Sequence, residues 1–166
     1  MPRVRVLLSL GSNRGDRMAY LRAAIEQLTR HRDIELAGVS SVFETEPLGV
    51  AGQDAYLNMA AALDTELSPR ALLSELKAIE QAAGRTPGER WGPREIDLDI
   101  ILYGDRVVRE EGLSVPHASF RQRRFVLAPL TELAPEAIDP VSGRTVADLA
   151  NDATVEGTVE RITIAL

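Results

Sequence analysis

The clearest strand in this 166-residue chain reads Ile96-Asp97-Leu98-Asp99-Ile100-Ile101-Leu102-Tyr103. Apolar residues alternate with Asp97 and Asp99, and a period of two is typical of a β-strand with one buried face. The alternation predicts that both carboxylates project from the same face of a sheet. On the opposite, core-facing side we expect Ile96, Leu98, Ile100 and Leu102.

Five further elements are predicted between the N-terminus and this strand. Alternating apolar residues predict strands at 4–10, 34–43 and 57–63, and apolar residues at steps of three and four predict helices at 18–28 and 69–83. Ser68-Pro69 is a favourable helix start and Gly84 a favourable helix end. Two polar loops that contain glycine and proline, 44–55 and 85–94, separate these elements.

The order strand, helix, strand, strand, helix, strand is that of the ferredoxin-like α+β fold, an antiparallel sheet with helices covering one face. After residue 105 the pattern is less regular. We expect a helix over 125–133, a short helix near 145–150 and an alternating tail at 158–166, whose place in the sheet the pattern leaves open. Since no repeat and no linker interrupts the chain, a single domain over 1–166 is predicted, with the role of the tail 151–166 unassigned.

Composition excludes several kinds of site. The chain has no cysteine, which excludes disulfides, thiolate zinc sites and cysteine nucleophiles. Its 25 acidic and 19 basic residues give a formal charge of −6, which argues against a general nucleic-acid-binding protein. The sequence shows no signal peptide and no apolar run near the ~18 residues that a membrane span requires. We therefore expect a cytoplasmic monomer with small-molecule partners and with neither a nucleic acid nor a membrane as partner.

Asp97 and Asp99 form the sharpest chemical feature. Two residues apart on a strand, their Cα atoms lie about 6.6 Å apart, and the carboxylates repel each other unless a cation or basic group compensates them. Paired oxygen ligands suit Mg²⁺, which proteins bind through one or two carboxylates together with substrate phosphates. The alternative is a solvated sheet face, because acidic alternation on exposed strands is common.

Arginines flank this pair on both sides, at Arg85, Arg90, Arg94, Arg121, Arg123 and Arg124. Guanidinium groups bind phosphate oxygens in a bidentate manner, and carboxylates for Mg²⁺ beside arginines for phosphate are typical of a phosphoryl-transfer site. Residues 85–124 carry eight arginines against seven acidic residues, a local charge of +1 in an acidic chain. A surface ion pair is the simpler interpretation for any single arginine, but for the cluster we favour anion binding.

Two histidines and three aromatic residues complete the candidate groups. His117 lies close to the arginines in sequence and is predicted to donate to a phosphate, whereas His31 is expected to be solvated at the end of the first helix. Tyr56, Trp91 and Phe125 are candidates for a platform that stacks on a flat ligand. The alternative, that all three are core residues, is stronger for Phe125 than for Trp91, which lies in a polar loop.

These motifs resemble one enzyme family, 6-hydroxymethyl-7,8-dihydropterin pyrophosphokinase (2-amino-4-hydroxy-6-hydroxymethyldihydropteridine diphosphokinase) of folate biosynthesis. The segments that carry the resemblance are Gly11-Ser12-Asn13, Thr45-Glu46-Pro47-Leu48-Gly49, Tyr56-Leu57-Asn58, Arg90-Trp91-Gly92-Pro93-Arg94, Asp97-Leu98-Asp99-Ile100, Val115-Pro116-His117, and Arg123 with Phe125-Val126-Leu127. The resemblance extends over about residues 4–140, and the block 90–99 is its most specific part.

The resemblance implies transfer of the β,γ-pyrophosphoryl group of ATP to the pterin hydroxymethyl oxygen, with release of AMP. It implies that Asp97 and Asp99 hold two Mg²⁺ ions and act in catalysis with Arg85 and Arg94. The implied ATP site comprises Glu80, Arg85, Arg90, Trp91, Arg94, Ile100, Ser114, His117 and Arg123. The implied pterin site comprises Gly11, Thr45, Pro47, Leu48, Tyr56, Asn58, Trp91, Asp97 and Phe125. The loops 44–55 and 85–94 would then be lids that exclude water during transfer.

Two other functions are weighed against this one. A non-catalytic ferredoxin-like module that binds a nucleotide or a metal does not need paired aspartates beside an arginine cluster, so the sequence disfavours it. Another Mg²⁺-dependent enzyme that uses a nucleotide with a different acceptor stays open, and the products formed from ATP separate it from the pyrophosphokinase. A nucleotidyltransferase pattern is excluded because Asp97 follows Ser12 by more than eighty residues, whereas that pattern needs the two close together.

Overall fold

Antiparallel strands carry the centre of the fold. The computed structural model describes residues 2–45, 55–85, 94–152 and 154–162. Its strands are β1 (Val4–Ser12), β2 (Ile34–Val39), β3 (Val42–Thr45), β4 (Tyr56–Thr65), β5 (Asp97–Tyr103), β6 (Val108–Glu110), β7 (Leu113–Val115) and β8 (Val159–Ile162). Six of them form one sheet in the order β5-β1-β4-β3-β8, with β2 also paired to β4, while β6 and β7 form a separate hairpin. The α+β class with an antiparallel sheet is therefore confirmed.

Within the described ranges four α-helices pack on this sheet, and each predicted helix is present. They are α1 (Arg17–Arg30), α2 (Pro69–Ala82), α3 (Arg124–Leu133) and α4 (Val146–Ala150). Side-chain caps explain three of the starts, since Asp16, Ser68 and Thr145 each accept a backbone N–H from the first turn that follows. None of the helices in the described ranges is long and apolar enough to cross a membrane.

α1 and α2 cover one face of the sheet, as predicted for the two helices of the strand-helix-strand-strand-helix-strand core, while α3 and α4 cover the other face. Leu8 and Leu10 of β1 lie in an apolar cluster with side chains of α1 and α2. Leu7 and Ala60 lie in a second cluster with side chains of α3 and α4. The central strands β1 and β4 are buried along almost their whole length. Strands buried on both faces lose the clean alternation that would reveal a second layer in the sequence.

The predicted second strand, 34–43, is two strands. β2 and β3 are separated at Ser40 and Ser41, and both pair with β4. The break is held by Ser40, whose backbone N–H donates to Ala60 O at 2.9 Å and whose Oγ accepts the Ala60 N–H at 2.8 Å. The predicted loop 44–55 begins too early, because Glu44 and Thr45 belong to β3.

The end of β1 and the course of β5 also differ from the prediction. Gly11 and Ser12 are paired residues of β1 and do not break it. A register shift between Leu7 and Leu8, opposite β5, reverses the alternation of β5. As a result Leu102 is buried in the cluster on the α3 side, whereas Leu98 is buried on the α1 and α2 side.

The C-terminal tail has a defined place in the fold. β8 pairs antiparallel with β3 and extends the sheet at that edge. The predicted strand character of the tail is thus confirmed over Val159–Ile162, while residues 163–166 lie outside the described part. The β6–β7 hairpin was not predicted, because strands of three residues are too short to show a period.

Candidate active site

The site is assembled on neighbouring strands at one end of the sheet. Gly11 of β1 lies opposite Asn58 of β4 on one side and opposite Asp97 of β5 on the other. Ser9, two residues earlier on β1, lies opposite Asp99 in the same way. Cross-strand partners and residues two apart share a face of a sheet. Asn58, Asp97 and Asp99 therefore project together from the face on which α3 packs, and the predicted common face of the two aspartates is confirmed.

Gly11 is the middle residue of the row that Asn58, Gly11 and Asp97 form across the three strands, and it leaves space above the sheet there. A Cβ atom on Gly11 would lie 3.1 Å from Asn58 Oδ1 and 3.4 Å from Tyr56 Cδ1. The first distance is tighter than an ordinary van der Waals contact, so any side chain here would press against the amide of Asn58. The absence of a side chain at Gly11 keeps the polar edge of Asn58 open to a ligand.

The amide of Asn58 has an unused donor. Asn58 is 3% exposed, and its Nδ2 has no hydrogen-bond partner among the described residues. A buried N–H without an acceptor costs about 1–3 kcal/mol, so such groups in folded proteins call for an explanation. An acceptor atom on a ligand that lies over Gly11 would satisfy it. The buried Ser12 Oγ is also unpartnered in the described residues, but Ser12 alternates with Gly11 and so lies on the other face of β1.

The two aspartates carry more negative charge than the protein around them compensates. Burial, and then the neighbouring carboxylates of Asp97 and Glu80, raise the pKa of Asp99 to about 7. A bound cation would reverse this shift. Among the described ranges no group of three or more His, Cys, Asp or Glu side chains could hold a metal ion. Two carboxylates alone do fit Mg²⁺, which fills its other positions with water and phosphate oxygens.

Glu80 of α2 is buried directly behind the aspartates. It is 1% exposed, its Oε2 accepts the backbone N–H of Leu98 at 2.7 Å, and its Oε1 accepts Nη1 of Arg85 at 2.6 Å. The same nitrogen of Arg85 lies 3.4 Å from Asp97 Oδ1. Burial raises the pKa of Glu80, and the hydrogen bond from Leu98 opposes that shift. Both carboxylate oxygens of Glu80 are thus engaged inside the protein, and Arg85 is drawn towards Asp97.

The segment that precedes β5 is tied to the end of β1. The backbone N–H of Asn13 donates to Arg94 O at 3.0 Å, and the backbone N–H of Arg94 donates to Asn13 Oδ1 at 2.7 Å. These reciprocal bonds place Arg94 beside the row that contains Gly11 and Asp97. In the sequence Asn13 stands out only as the last residue of the Gly11-Ser12-Asn13 motif, and its side chain proves to be an anchor for the backbone of Arg94.

On the α3 side the site has a histidine with a defined tautomer. His117 Nδ1 accepts the backbone N–H of Ser119 at 3.2 Å, so the neutral ring carries its proton on Nε2. Burial and the charge of Arg123 lower the pKa of His117. The guanidinium of Arg123 lies 5.6 Å from the ring centroid of Phe125. A neutral N–H donor, a cation and an aromatic ring are therefore grouped where α3 begins.

Arg121 does not belong to the predicted phosphate cluster. Its Nε and Nη2 donate to Asp139 Oδ2 and Oδ1 at 2.5 and 2.9 Å, and the Asp139 side chain is fully buried. Arg124 donates to the carbonyl oxygen of Ala150 at 3.3 Å. Arg121 and Arg124 therefore tie the α3–α4 region together, and for Arg123 the predicted contact with a phosphate stays a prediction.

The family model for 7,8-dihydro-6-hydroxymethylpterin-pyrophosphokinase matches residues 7–135. The chain belongs to this family. The predicted resemblance is thereby confirmed, and so is the predicted enzyme class, an ATP-dependent pyrophosphokinase.

Curated relatives carry the same name. The chain is 44% identical over 142 residues to 2-amino-4-hydroxy-6-hydroxymethyldihydropteridine pyrophosphokinase of Methylorubrum extorquens. This alignment covers 86% of this chain and 89% of the relative. It is 41% identical over 158 residues to the enzyme of that name from Pseudomonas aeruginosa. This alignment covers 95% of this chain and 96% of the relative. The match to the Pseudomonas aeruginosa enzyme extends well beyond the 7–135 segment.

Solved structures show the same fold. Wild-type Plasmodium falciparum HPPK-DHPS with STZ-DHP matches with a TM-score of 0.76 at 14% identity and covers 98% of this chain. The chain spans 47% of that longer protein. At this level of identity the likeness concerns the fold alone.

The remaining residues predicted for the site of this pyrophosphokinase fall into three groups. Thr45 pairs with Tyr56 across β3 and β4, and burial followed by the charges of Asp97 and Asp99 raises the pKa of Tyr56, which places this ring near the carboxylates. Ile100 is buried in the α1 and α2 cluster, and Ser114 is exposed on the β6–β7 hairpin. Outside the described residues lie Pro47, Leu48, Arg90 and Trp91.

Two residues of this pyrophosphokinase have contacts that the sequence did not indicate. Arg17 Nη1 donates to Ala55 O at 2.7 Å and lies 2.8 Å from Glu44 Oε2, so it joins the end of β3 to the start of β4. His31, predicted to be solvated, is mostly buried, and its Nε2 lies 2.9 Å from Glu75 Oε2. Neither contact shows as a local pattern, since the partners are 27 or more residues away in sequence.

Proposed function

We propose that Asp97, Asp99 and Arg85 form the centre at which this chain transfers the pyrophosphoryl group of ATP to 6-hydroxymethyl-7,8-dihydropterin, a step of folate synthesis. The row formed by Asn58, Gly11 and Asp97 carries the proposal, because it places an unused amide donor beside a paired carboxylate site. A flat heterocycle with a polar edge and a phosphate chain with its cations can occupy neighbouring parts of such a row.

The reaction is a displacement at the β-phosphorus of ATP. The hydroxymethyl oxygen of the pterin forms a bond to the β-phosphorus, the bond from that phosphorus to the oxygen bridging the α-phosphate breaks, and AMP leaves with the bridging oxygen. The hydroxyl proton is lost as the new bond forms and ends in solvent once the products leave, and we assign no single side chain as its acceptor. The chain contributes alignment of the two reactants and charge around the transferred group.

Asp97 and Asp99 would hold two Mg²⁺ ions, which when bound neutralise the triphosphate charge and orient its oxygens. The donor set supports this assignment, because both side chains offer only carboxylate oxygens. The raised pKa of Asp99 reflects its burial and then the neighbouring carboxylates, and a cation would oppose both effects. The aspartates themselves define where the triphosphate lies along β5.

Four cationic or donor groups surround that position. Arg85, held by Glu80, stabilises charge on the transferred group, and Arg94, held by Asn13, acts beside it. His117 donates through Nε2, and Arg123 supplies a further charge to the phosphates. The proposed ATP site also includes Glu80, Arg90, Trp91, Ile100 and Ser114.

The pterin lies on the α3 side of the row. Phe125 and Tyr56 stack on its faces, and Asn58 bonds its polar edge through the unused Nδ2. Thr45 adjoins Tyr56 at the end of β3. The proposed site also includes Gly11, Pro47, Leu48, Trp91 and Asp97.

The proposal also covers the ferredoxin-like topology of the core, the domain organisation, the oligomeric state and the cellular location. If β2 and β3 count as one interrupted strand, the sheet order β5-β1-β4-β2/β3 with α1 and α2 between the strands is the ferredoxin-like arrangement, which supports that class for the core. We also propose a single domain over 1–166 that acts as a cytoplasmic monomer on small-molecule substrates.

Product analysis tests the function. Purified protein is incubated with ATP and Mg²⁺, with and without 6-hydroxymethyl-7,8-dihydropterin, and the nucleotides are separated by ion-exchange chromatography. We expect AMP in amounts equal to the pyrophosphorylated pterin, and only when both the pterin and Mg²⁺ are present. Formation of ADP, or AMP formation that does not respond to the pterin, would instead identify a nucleotide-dependent enzyme with a different acceptor.

A further inference from the structure

The C-terminal segment 154–162 lies beyond the 7–135 match to the family model, yet it contacts two elements of the proposed pterin site. We propose that this segment is a positioning element of that site, because it joins the end of β3, which carries Thr45, to the start of α3, which carries Phe125. The inference rests on the proposed function of these two residues.

The first set of contacts is at the start of α3. The backbone N–H of Glu156 donates to Gln122 O at 2.9 Å, and the backbone N–H of Arg124 donates to Glu156 O at 3.0 Å. These bonds lie on either side of Arg123 and end one residue before Phe125. Val155 is buried in the same apolar cluster as the side chains of α3 and α4. The segment therefore sets the direction in which the first turn of α3 leaves the sheet.

The second set of contacts is at the end of β3. The register of β8 on β3 runs from Val42 opposite Ile162 to Thr45 opposite Val159. In addition, Thr45 Oγ1 donates to the carbonyl oxygen of Thr158 at 3.0 Å. β3 has only four residues, so a second paired strand contributes a large share of the hydrogen bonds that hold Thr45 in place.

Gly157 connects the two sets of contacts. Its φ is +98°, a region that side-chain-bearing residues rarely adopt, and a Cβ there would meet its nearest neighbour, Arg124 Cβ, at 4.0 Å. A Cβ atom at Gly157 thus strains the backbone without itself clashing with a neighbour. Gly143, with φ +74° and no atom within 4 Å of such a Cβ, offers the same change in the loop between α3 and α4.

The experiment compares Gly157→Val with Gly143→Val in the full chain. Dissociation constants are measured by calorimetry, separately for 6-hydroxymethyl-7,8-dihydropterin and for a Mg²⁺ complex of a non-hydrolysable ATP analogue, and KM and kcat are measured for both substrates. We expect Gly157→Val to raise the Kd and KM for the pterin about fivefold and the Kd for the nucleotide less than twofold, because only the fraction of molecules with the segment in place binds the pterin well. Gly143→Val should leave both unchanged.

A second pair of variants tests the contact to β3 directly. Thr45→Val removes the hydroxyl that donates to Thr158, and Thr45→Ser keeps it. We expect the Kd for the pterin to rise about threefold in Thr45→Val and to rise clearly less in Thr45→Ser, which keeps the hydroxyl that donates to Thr158. If Gly157→Val does not fold, this pair still tests whether the segment 154–162 positions the pterin site.

Two outcomes overturn the inference. One is pterin binding equal to the parent in Gly157→Val and Thr45→Val, and the other is an equal loss in Gly157→Val and Gly143→Val. Phe125→Ala separates these results from a failure of the proposed function. If Phe125→Ala also binds the pterin like the parent, the assignment of the pterin site is wrong; if it binds weakly, only the role of the segment is rejected.

Discussion

Glu80 Oε2 accepts the backbone N–H of Leu98 at 2.7 Å, so a buried carboxylate of α2 holds the residue of β5 that separates the two aspartates. β5 lies at one edge of the sheet, where its outward backbone N–H groups meet no further strand of the described residues, and Glu80 supplies an acceptor there. Its other oxygen binds Arg85, which in turn approaches Asp97. One residue thus orients the candidate metal ligands and the nearest arginine.

The first prediction concerns this residue. Glu80→Gln keeps the size of the side chain but presents an N–H₂ group to one of two donors, so either Leu98 or Arg85 loses its acceptor. We expect kcat to fall about tenfold, with the Kd for the pterin unchanged. Glu75→Gln is the matched control, since Glu75 lies on the same helix and pairs with His31 away from the aspartates. A kcat equal in both variants would show that Glu80 does not position the site.

The second prediction concerns the aspartates themselves. Asp97→Asn and Asp99→Asn should each lower kcat at least about 100-fold, because an amide is a poor ligand for Mg²⁺. The fold should be kept, as measured by far-ultraviolet circular dichroism. In Asp99→Asn the melting temperature without Mg²⁺ should not fall, because burial and nearby carboxylates already disfavour the ionised form. Asp105→Asn, a change at an exposed aspartate, is the control. Near-full activity in Asp97→Asn or in Asp99→Asn would reject the two-metal proposal.

The third prediction tests the space over Gly11. Gly11→Ala brings a Cβ to 3.1 Å from Asn58 Oδ1 and should raise the KM for the pterin about tenfold, with less effect on the KM for ATP. Gly38→Ala on β2 is the matched control, since its Cβ meets Leu133 Cδ1 at a similar 3.3 Å but far from the row. Steady-state kinetics with each substrate varied in turn measure both effects. An equal loss for both substrates would mean that Gly11 serves the strand and not the pterin.

The fourth prediction is a pH dependence of stability. Burial alone would raise the pKa of Asp139, but hydrogen bonds from Arg121, Ser142 and the Val141 N–H outweigh it and hold the pKa at about 2, against an ordinary 3.8. Since the folded pKa lies below the unfolded one, this contribution is present above about pH 4 and is lost as the pH falls towards 2.

Urea unfolding of the parent and of Asp139→Asn between pH 2 and pH 6 measures this contribution. We expect Asp139→Asn to be less stable by about 3 kcal/mol at pH 6, because it breaks a buried ion pair, and the difference to narrow steadily below pH 4. Asp105→Asn again serves as control. Parallel curves for the parent and Asp139→Asn would show that the pair with Arg121 does not titrate as described.

Local patterns predicted most of the strands and helices. The period of two placed Asp97 and Asp99 on one face, and the cap at Ser68 marked the start of α2. Such features depend on residues within a few positions of one another, so a single sequence reveals them. The break at Ser40 and the register shift beside Leu8 were missed, because they are set by the partner strands β4 and β5.

For the site, too, the sequence predicted one part and the tertiary structure supplied the other. Residue types and motifs led to the family, to the paired carboxylates and to a group of arginines. Contacts across the fold distinguish the arginines, since Arg121 binds the buried Asp139 while Arg123 lies over the ring of Phe125, and the role of Arg123 at the site stays a prediction. Arginines two positions apart look alike in a sequence, and only the surfaces brought against them give them different roles.

The sequence by itself determined most of the strands and helices, the common face of the aspartates and the class of enzyme, because short-range periodicity and closely spaced motifs encode them. The tertiary structure alone decided that α3 forms a second layer, that Glu80 holds β5 from behind, and that the tail pairs with β3. Each of these contacts joins residues 18 or more positions apart. Which residues make such contacts depends on the buried surfaces and unpaired backbone groups that come together when the chain folds. Local sequence patterns do not show this.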